Sequence, residues 1–322
     1  MHRAFILAAG FGTRLRPLTT LRPKPLVPVC GHPLLDWQLA SCRAHGIHSV
    51  VVNAHWLPEQ IEAWAERTRA ADPSLTLAIH VETPDILGTG GGLKAVEATL
   101  AERFVVLNGD VLHAVDLTAL LAAVPEGGGA LVLRPHPEDA DRYGHVSADA
   151  TGTVVQMRDF ARTDPEGDLV TDTHFTGIHA MHHGLLDDAV SGFSCILRTA
   201  YTARIGQRVI AGVRYDGPWL DIGDPEAYRL TNLAVLRGEV PLPLDPFQAA
   251  DPERSRGAGH PAGALWVGPG AQIHPDAVVR DAVIGAGATI GPVTVERSVV
   301  WDHVTVEQDL VDQVAYADDG IV

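Results

Sequence analysis

The residues best suited to chemistry lie in one stretch, FILAAGFGTRLRPLTTLRPKPLVPV, from Phe5 to Val29. Gly10 and Gly12 form a turn whose backbone amides can approach an anion. Arg14, Arg16, Arg22 and Lys24 follow, set among Pro17, Pro23, Pro25 and Pro28. Proline fixes φ without building a helix, so the segment presents its cations from a stiff loop. Lys24 and Lys94 are the only lysines in the 322 residues, with arginine at every other basic position. A chain with so little use for solvated lysine points to a need for a compact ammonium at Lys24, the form that suits phosphate. For Lys94, in a helical pattern after glycines, a phosphate role and a surface role stand level.

Two aspartates extend this set. Asp110 ends the apolar run FVVLNGD, and Asp221 ends PWLD just ahead of a helical segment opening at Pro225. A carboxylate at a strand's carboxyl end, facing a polyphosphate, is a hard-oxygen ligand for Mg²⁺, which takes one or two protein carboxylates beside phosphate oxygens. Each aspartate alone is equally a turn or capping residue. His179, His182 and His183 lie close in sequence but without partners, and read as packing or surface residues.

Simpler explanations of the loop fail. A dinucleotide fingerprint would need a third glycine where Leu15 stands, and Gly88-Thr89-Gly90-Gly91-Gly92-Leu93-Lys94 is not GxxxxGK[ST]. Net charge of -16 with no basic run argues against nucleic acid or an anionic membrane surface as partner. Cys30, Cys42 and Cys195 are odd in number and widely spaced, which suggests reduced thiols in the cytoplasm and no zinc site. The N-terminal apolar run is too short for a secretory core, and no window reaches membrane-span length.

Positioning such a loop requires a scaffold. AFILAA, SVVVNA, LTLAIHV, RFVVLNGD and ALVLRP read as buried strands, with helical LLDWQLASCRAHG, PEQIEAWAERTR and GGLKAVEATLA between them. This order predicts an α/β fold with a Rossmann-like, mixed but mainly parallel sheet and ligands at the strands' carboxyl ends. GHVSAD, TVVQMRD and HFTGIHAM read as a more antiparallel extension over the pocket, before RVIAGVRY and the helix PEAYRLTNLAVLRG. Residues 1–238 form the catalytic domain in this reading, and Pro, Gly and charge mark Glu239 to Ala262 as a linker. In residues 263–322, Val267, Ile273 and Val279 recur every six positions, as do Ile284 and Ile290, with Val267-Gly268 and Ile284-Gly285 steps. That is the pattern of hexapeptide coils, a short left-handed parallel β-helix packed on the main domain or on another copy in a homo-oligomer.

Read together, LAAGFGTRLRPLT, PKPLVPV, LGTGGGLKA, LNGD, RYGHV, FTGIHAM, WLDIGDPEAY, VIGAGATIG and RSVVW resemble the sugar-1-phosphate nucleotidyltransferases, or NDP-sugar pyrophosphorylases, that carry a hexapeptide tail. Within that family the chain looks most like mannose- or heptose-1-phosphate guanylyltransferases and N-acetylmuramate-1-phosphate uridylyltransferases. The resemblance implies a GT-A-like catalytic fold, an NTP and a sugar 1-phosphate as partners, and Mg²⁺ as cofactor. It assigns Ala8, Ala9, Gly10, Gly12, Thr13, Gly88, Thr89, Gly90 and Asn108 to the nucleotide, and Arg14, Lys24 and Asp110 to catalysis. Asp110 and Asp221 hold the metal, and Gly144, Phe175, Thr176 and Gly177 meet the sugar. One departure matters. Where many members carry a Glu-Lys-Pro motif whose lysine holds the sugar phosphate, this chain reads DFARTDPEG, leaving Arg158 or Arg162 as substitutes.

The implied reaction is in-line attack of a sugar 1-phosphate on the α-phosphorus of an NTP, with pyrophosphate leaving. A phosphate monoester is already anionic, so alignment and charge neutralisation do the catalysis. Glu82, at the end of LTLAIHV, is expected to accept from N1–H and the exocyclic amine of guanine, which favours GTP over UTP. Lys24 and Asp110 are expected to face ligand outside the core, and the tail to be dispensable for chemistry. Two other classes share this sequence pattern: a cytidylyltransferase for phosphocholine, and a non-catalytic regulatory subunit.

Overall fold

A computed structural model describes residues 2–322, in two compact units. The first gathers the chain up to Gly10 with Ser41–Gly109 and His113–Trp219; the second gathers Phe11–Ala40, Asp110–Leu112 and Leu220–Val322.

The first unit is built on seven strands: β1 (Arg3–Leu7), β2 (Ser49–Ala54), β3 (Thr76–Val81), β4 (Arg103–Asn108), β5 (Gly129–Pro135), β6 (Thr173–His182) and β7 (Ile210–Arg214). Their order across the sheet is β7-β5-β6-β4-β1-β2-β3. Strands β3, β2, β1 and β4 pair in parallel, as does β7 with β5, and β6 alone runs against both its neighbours. Runs such as Val50–Val52 and Phe104–Leu107 are wholly buried, as expected where helices cover both faces. Helices α1 (Leu34–Ala44), α2 (Pro58–Ala71) and α3 (Gly88–Ala95) follow strands in the expected alternation. The extension is antiparallel, as read above, but without the third segment. Val146–Asp149, Val154–Met157, Ala161–Arg162 and Leu169–Val170 form a separate four-stranded sheet. HFTGIHAM instead belongs to β6 at the centre of the main sheet, where all but Phe175 and His182 are buried and the pairing shifts register between Phe175 and His179.

In the second unit the tail is a parallel β-helix of three stacked faces. On one face Leu265 pairs with Ala282, Val283 with Val299 and Val299 with Val314, so successive coils shorten from 17 to 16 to 15 residues. The Val/Ile-Gly steps are close approaches of backbone. A Cβ on Gly268 would stand 2.4 Å from the nitrogen of Ala286, and one on Gly285 2.5 Å from that of Asp302. The stretch from Glu239 to Ala262 is folded against this unit. Leu242, Leu244 and Phe247 pack on its core, a 3-10 turn spans Pro246–Ala249, and the indole of Trp266 donates to the carbonyl of Pro246 at 2.8 Å. Its polar composition reads as a linker because so few apolar side chains suffice to dock it.

The same unit holds the end of the opening loop. Helix α4 (Pro225–Leu236) supplies Asn232, whose Oδ1 accepts from the N–H of Cys30 at 2.9 Å. Gly31 has φ +74, and a Cβ there would fall 2.3 Å from the ring of Trp266, so both backbone and space require glycine.

Candidate active site

The cationic loop is built from short turns. Thr13–Leu15 and Lys24–Leu26 are 3-10 turns, and Leu18–Leu21 is one turn of α-helix. Gly12, at φ +60, starts the first turn; its carbonyl accepts from the Thr19 hydroxyl at 2.9 Å, and a Cβ would stand 2.9 Å from Thr19 and 3.1 Å from Lys24. Thr13 and Arg14 are exposed, whereas Lys24 is only 7% exposed. The Lys24 ammonium donates to Oδ2 of Asp110 at 2.5 Å. Lys24 is therefore buried and paired, where the sequence led us to expect it outside the core.

Asp110 and Asp221 meet through backbone pairing: the N–H of Ile222 donates to the carbonyl of Asp110 at 3.3 Å. Two carboxylates cannot enclose an ion alone, but they fit Mg²⁺, whose remaining ligands are phosphate oxygens and water. Among the described residues, the one cluster of three possible ligands is elsewhere, at Glu102, Glu126 and His182. There His182 Nδ1 accepts from the N–H of Gly184, so the facing Nε2 carries a proton in the neutral ring.

In the first unit the end of β1 is held by a residue the sequence reading passed over. Asn53, closing β2, accepts at Oδ1 from the N–H of Ala8 at 2.6 Å and donates through Nδ2 to Oε1 of Glu82 at 2.7 Å. Oε2 of Glu82 accepts from the N–H of Leu87 at 2.7 Å. Glu82 is 1% exposed with both oxygens engaged, so the carboxylate expected to read guanine is spent on fixing β1 and the start of α3. An asparagine ending a buried strand, in SVVVNA, was the signal for this relay.

Ala8 and Ala9 are buried and Gly10 is exposed. The glycines of α3 admit the segment after Val190. Gly90 N–H donates to the carbonyl of Ser194 at 2.8 Å, the Thr89 hydroxyl accepts from Ile196 N–H at 3.0 Å, and a Cβ on Gly88 would lie 2.6 Å from the Ser194 oxygen. Lys94 is structural, bonding Glu97 at 3.0 Å and the carbonyl of Leu186 at 3.0 Å.

Asn108 lies against Gly177, where a Cβ would stand 2.3 Å from its Nδ2. The buried Thr176 hydroxyl donates to the carbonyl of Val132 at 3.0 Å, and the Thr176 carbonyl accepts from the indole N–H of Trp219 at 3.0 Å. Phe175 is partly buried, its ring 5.5 Å from that of His179. His179 shares a 2.7 Å hydrogen bond with the Tyr201 hydroxyl, and burial lowers its pKa to about 3. Gly144 has the Arg158 side chain laid across it, within 2.6 Å of where a Cβ would be. Arg158 itself is exposed at φ +49, and Arg162 is exposed in a two-residue strand.

Known proteins similar to this chain fall in one group. A mannose-1-phosphate guanylyltransferase of Mycobacterium tuberculosis is 31% identical over 94% of this chain and 81% of its own length. An N-acetylmuramate alpha-1-phosphate uridylyltransferase of Caulobacter vibrioides is 33% identical over 70% of this chain and 93% of its own. The crystal structure of HddC from Yersinia pseudotuberculosis, 20% identical, superposes with a TM-score of 0.55, covering 72% of this chain and 98% of that one, and shares the fold. No helix among the described residues is long and apolar enough to cross a membrane. The family model described as "Nucleotidyl transferase" matches residues 3–238, from β1 through α4, and the chain belongs to that family.

Proposed function

We propose that this enzyme joins an NTP to a sugar 1-phosphate, releasing pyrophosphate. The observation that carries the reading is the pairing of buried Lys24, in a proline-braced cationic loop of an otherwise acidic chain, with the partly exposed Asp110. An oxygen of the sugar 1-phosphate attacks the α-phosphorus in line; the new P–O bond forms as the α–β anhydride breaks, and its electron pair leaves with pyrophosphate. Asn53 fixes the backbone of Ala8, and with it the β1 end that would carry the nucleoside. The exposed guanidinium of Arg14 and the amides after Gly10 would take the β- and γ-phosphates. Lys24 gives one N–H to Asp110, and two remain for phosphate oxygens. Asp221 and the second oxygen of Asp110 would hold Mg²⁺. Bound there, Mg²⁺ would neutralise charge on the α-phosphate and the incoming oxygen. For the sugar phosphate we assign Arg158, the candidate laid against an expected sugar contact, Gly144.

We assign GTP and a mannose-type 1-phosphate. With Glu82 committed to Asn53 and Leu87, this choice rests on the tail: the guanylyltransferase relative matches 94% of the chain, while the muramate uridylyltransferase accounts for 93% of its own length within 70% of it. UTP with an amino-sugar 1-phosphate is the second reading, favoured by the 33% identity of that shorter match. We place the reaction in the cytoplasm, where the three free cysteines would stay reduced. Pyrophosphate release measured for four NTPs against a panel of sugar 1-phosphates tests all of this. Turnover with GTP and mannose 1-phosphate is expected; turnover with UTP alone would replace the base assignment, and none with any pair would remove the reaction.

A further inference from the structure

We propose that Trp301, in the β-helix, and Tyr228, on α4, are positioning residues for the cationic loop, so that the tail helps present Lys24 to phosphate. This rests on the reading of that loop as phosphate-binding. The Arg22 guanidinium lies over the Trp301 ring, 4.8 Å from its centroid, within cation–π reach. The indole N–H of Trp301 donates to the Tyr228 hydroxyl at 2.9 Å, and that hydroxyl donates to the carbonyl of Pro28 at 2.6 Å. Trp301 and Tyr228 are both buried. Arg22 precedes Lys24 by two residues and Pro28 follows it by four, so one connected pair of side chains grips the loop on both sides of the lysine.

The composition of the loop explains why it is held this way. Prolines at 23, 25 and 28 lack N–H groups, and those of Leu26 and Val27 close turns within the loop, so a partner outside it finds mostly carbonyls and charged side chains. Two such handles, the Pro28 carbonyl and the Arg22 guanidinium, go to the same indole–phenol pair. Prolines restrict the loop's own torsions but cannot fix it relative to Asp110. The grip from Trp301 and Tyr228 supplies that fixed reference. On this proposal the tail is a working part of catalysis, and its removal should slow the chemistry.

The test uses the full chain with Tyr228→Phe, Trp301→Phe and Trp301→Leu. Backbone hydrogen exchange over residues 13–31 is measured beside kcat and KM for the NTP–sugar phosphate pair that the wild type turns over. Expected are exchange at least about tenfold faster across the loop in Tyr228→Phe and Trp301→Leu, and kcat down about tenfold. KM for the sugar phosphate should stay within about twofold. Trp301→Phe, which keeps a ring under Arg22 but loses the N–H, should fall nearer the wild type than Trp301→Leu. Tyr228→Phe keeps its ring packing and decides the matter if Trp301→Leu unfolds. Loop exchange and kcat within twofold of wild type in Tyr228→Phe would overturn the proposal. A wild type inactive with every pair would refute the reaction instead, and the exchange data would still decide the grip.

Discussion

The ammonium of Lys24 and the carboxylate of Asp110 are 2.5 Å apart, with the lysine side chain 9% exposed and the aspartate 29%. This asymmetry separates two variants that would otherwise look alike. Both should cut turnover by roughly 10²–10³-fold, the usual cost of removing a group that stabilises transition-state charge. Asp110→Asn also leaves a buried ammonium without its counter-charge, a loss of about 3–5 kcal/mol. Lys24→Ala leaves a carboxylate that water can reach. Melting curves should therefore fall further for Asp110→Asn, and near-normal turnover in either variant would sink the mechanism.

Glu82→Gln should weaken the fold and leave base choice alone. Both carboxylate oxygens accept, from Asn53 and from Leu87, so the amide turns an N–H₂ toward one donor. We expect a loss of about 1–3 kcal/mol in stability. The ratio of kcat/KM for GTP over UTP should stay within about twofold; a tenfold shift in that ratio would show that Glu82 reads the base after all.

Arg158 and Arg162 can be told apart by steady-state kinetics. Arg158→Ala should raise KM for the sugar 1-phosphate by roughly tenfold or more, the value of a charge-assisted contact, with KM for the NTP unaltered. Arg162→Ala should change neither. The reverse pattern would move the anchor to Arg162.

Two buried histidines contribute to the acid limb of stability. Burial holds His179 at a pKa of about 3; burial first, and then neighbouring His45, holds His113 at about 4. Unfolded, each titrates near 6.5. Below that pH the unfolded chain binds protons that the folded chain refuses, so stability falls as pH drops from about 6.5 toward 4. The slope approaches about 1.4 kcal/mol per pH unit for each histidine. Urea titrations at several pH values should show His179→Gln losing less than wild type on acidification. Equal losses would contradict the assignment.

How much of this could be read in advance depended on how local the cause was. Strands such as β2 and β4 declared themselves through unbroken branched and aromatic residues, and the solenoid through its six-residue period. The burial of Lys24 was not legible, because lysine defaults to solvent and its partner lies 86 residues away. Glu82 was misread for a similar reason. Its partner Asn53 is on the neighbouring parallel strand, and parallel register leaves no mark in a single sequence. Asp110 and Asp221 were individually visible, but their approach depends on strand pairing between segments far apart in the chain. Strand β6 misled because its Thr, Gly and His residues break the apolar run of a central strand, although nearly all of them are buried.

On one face of the solenoid the final strand, Gly320–Ile321, runs antiparallel to Val314–Ala317, whereas the rungs before it are all parallel. Stacked parallel rungs are a self-templating surface, since each bare edge offers hydrogen bonds for one more. The reversed strand spoils that template. The column of Ile284 and Val300 runs on through Ala315 to Ile321, but a further rung in the direction of the others would meet this strand with opposite polarity. The reversal of Gly320–Ile321 thus breaks the parallel repeat on that face.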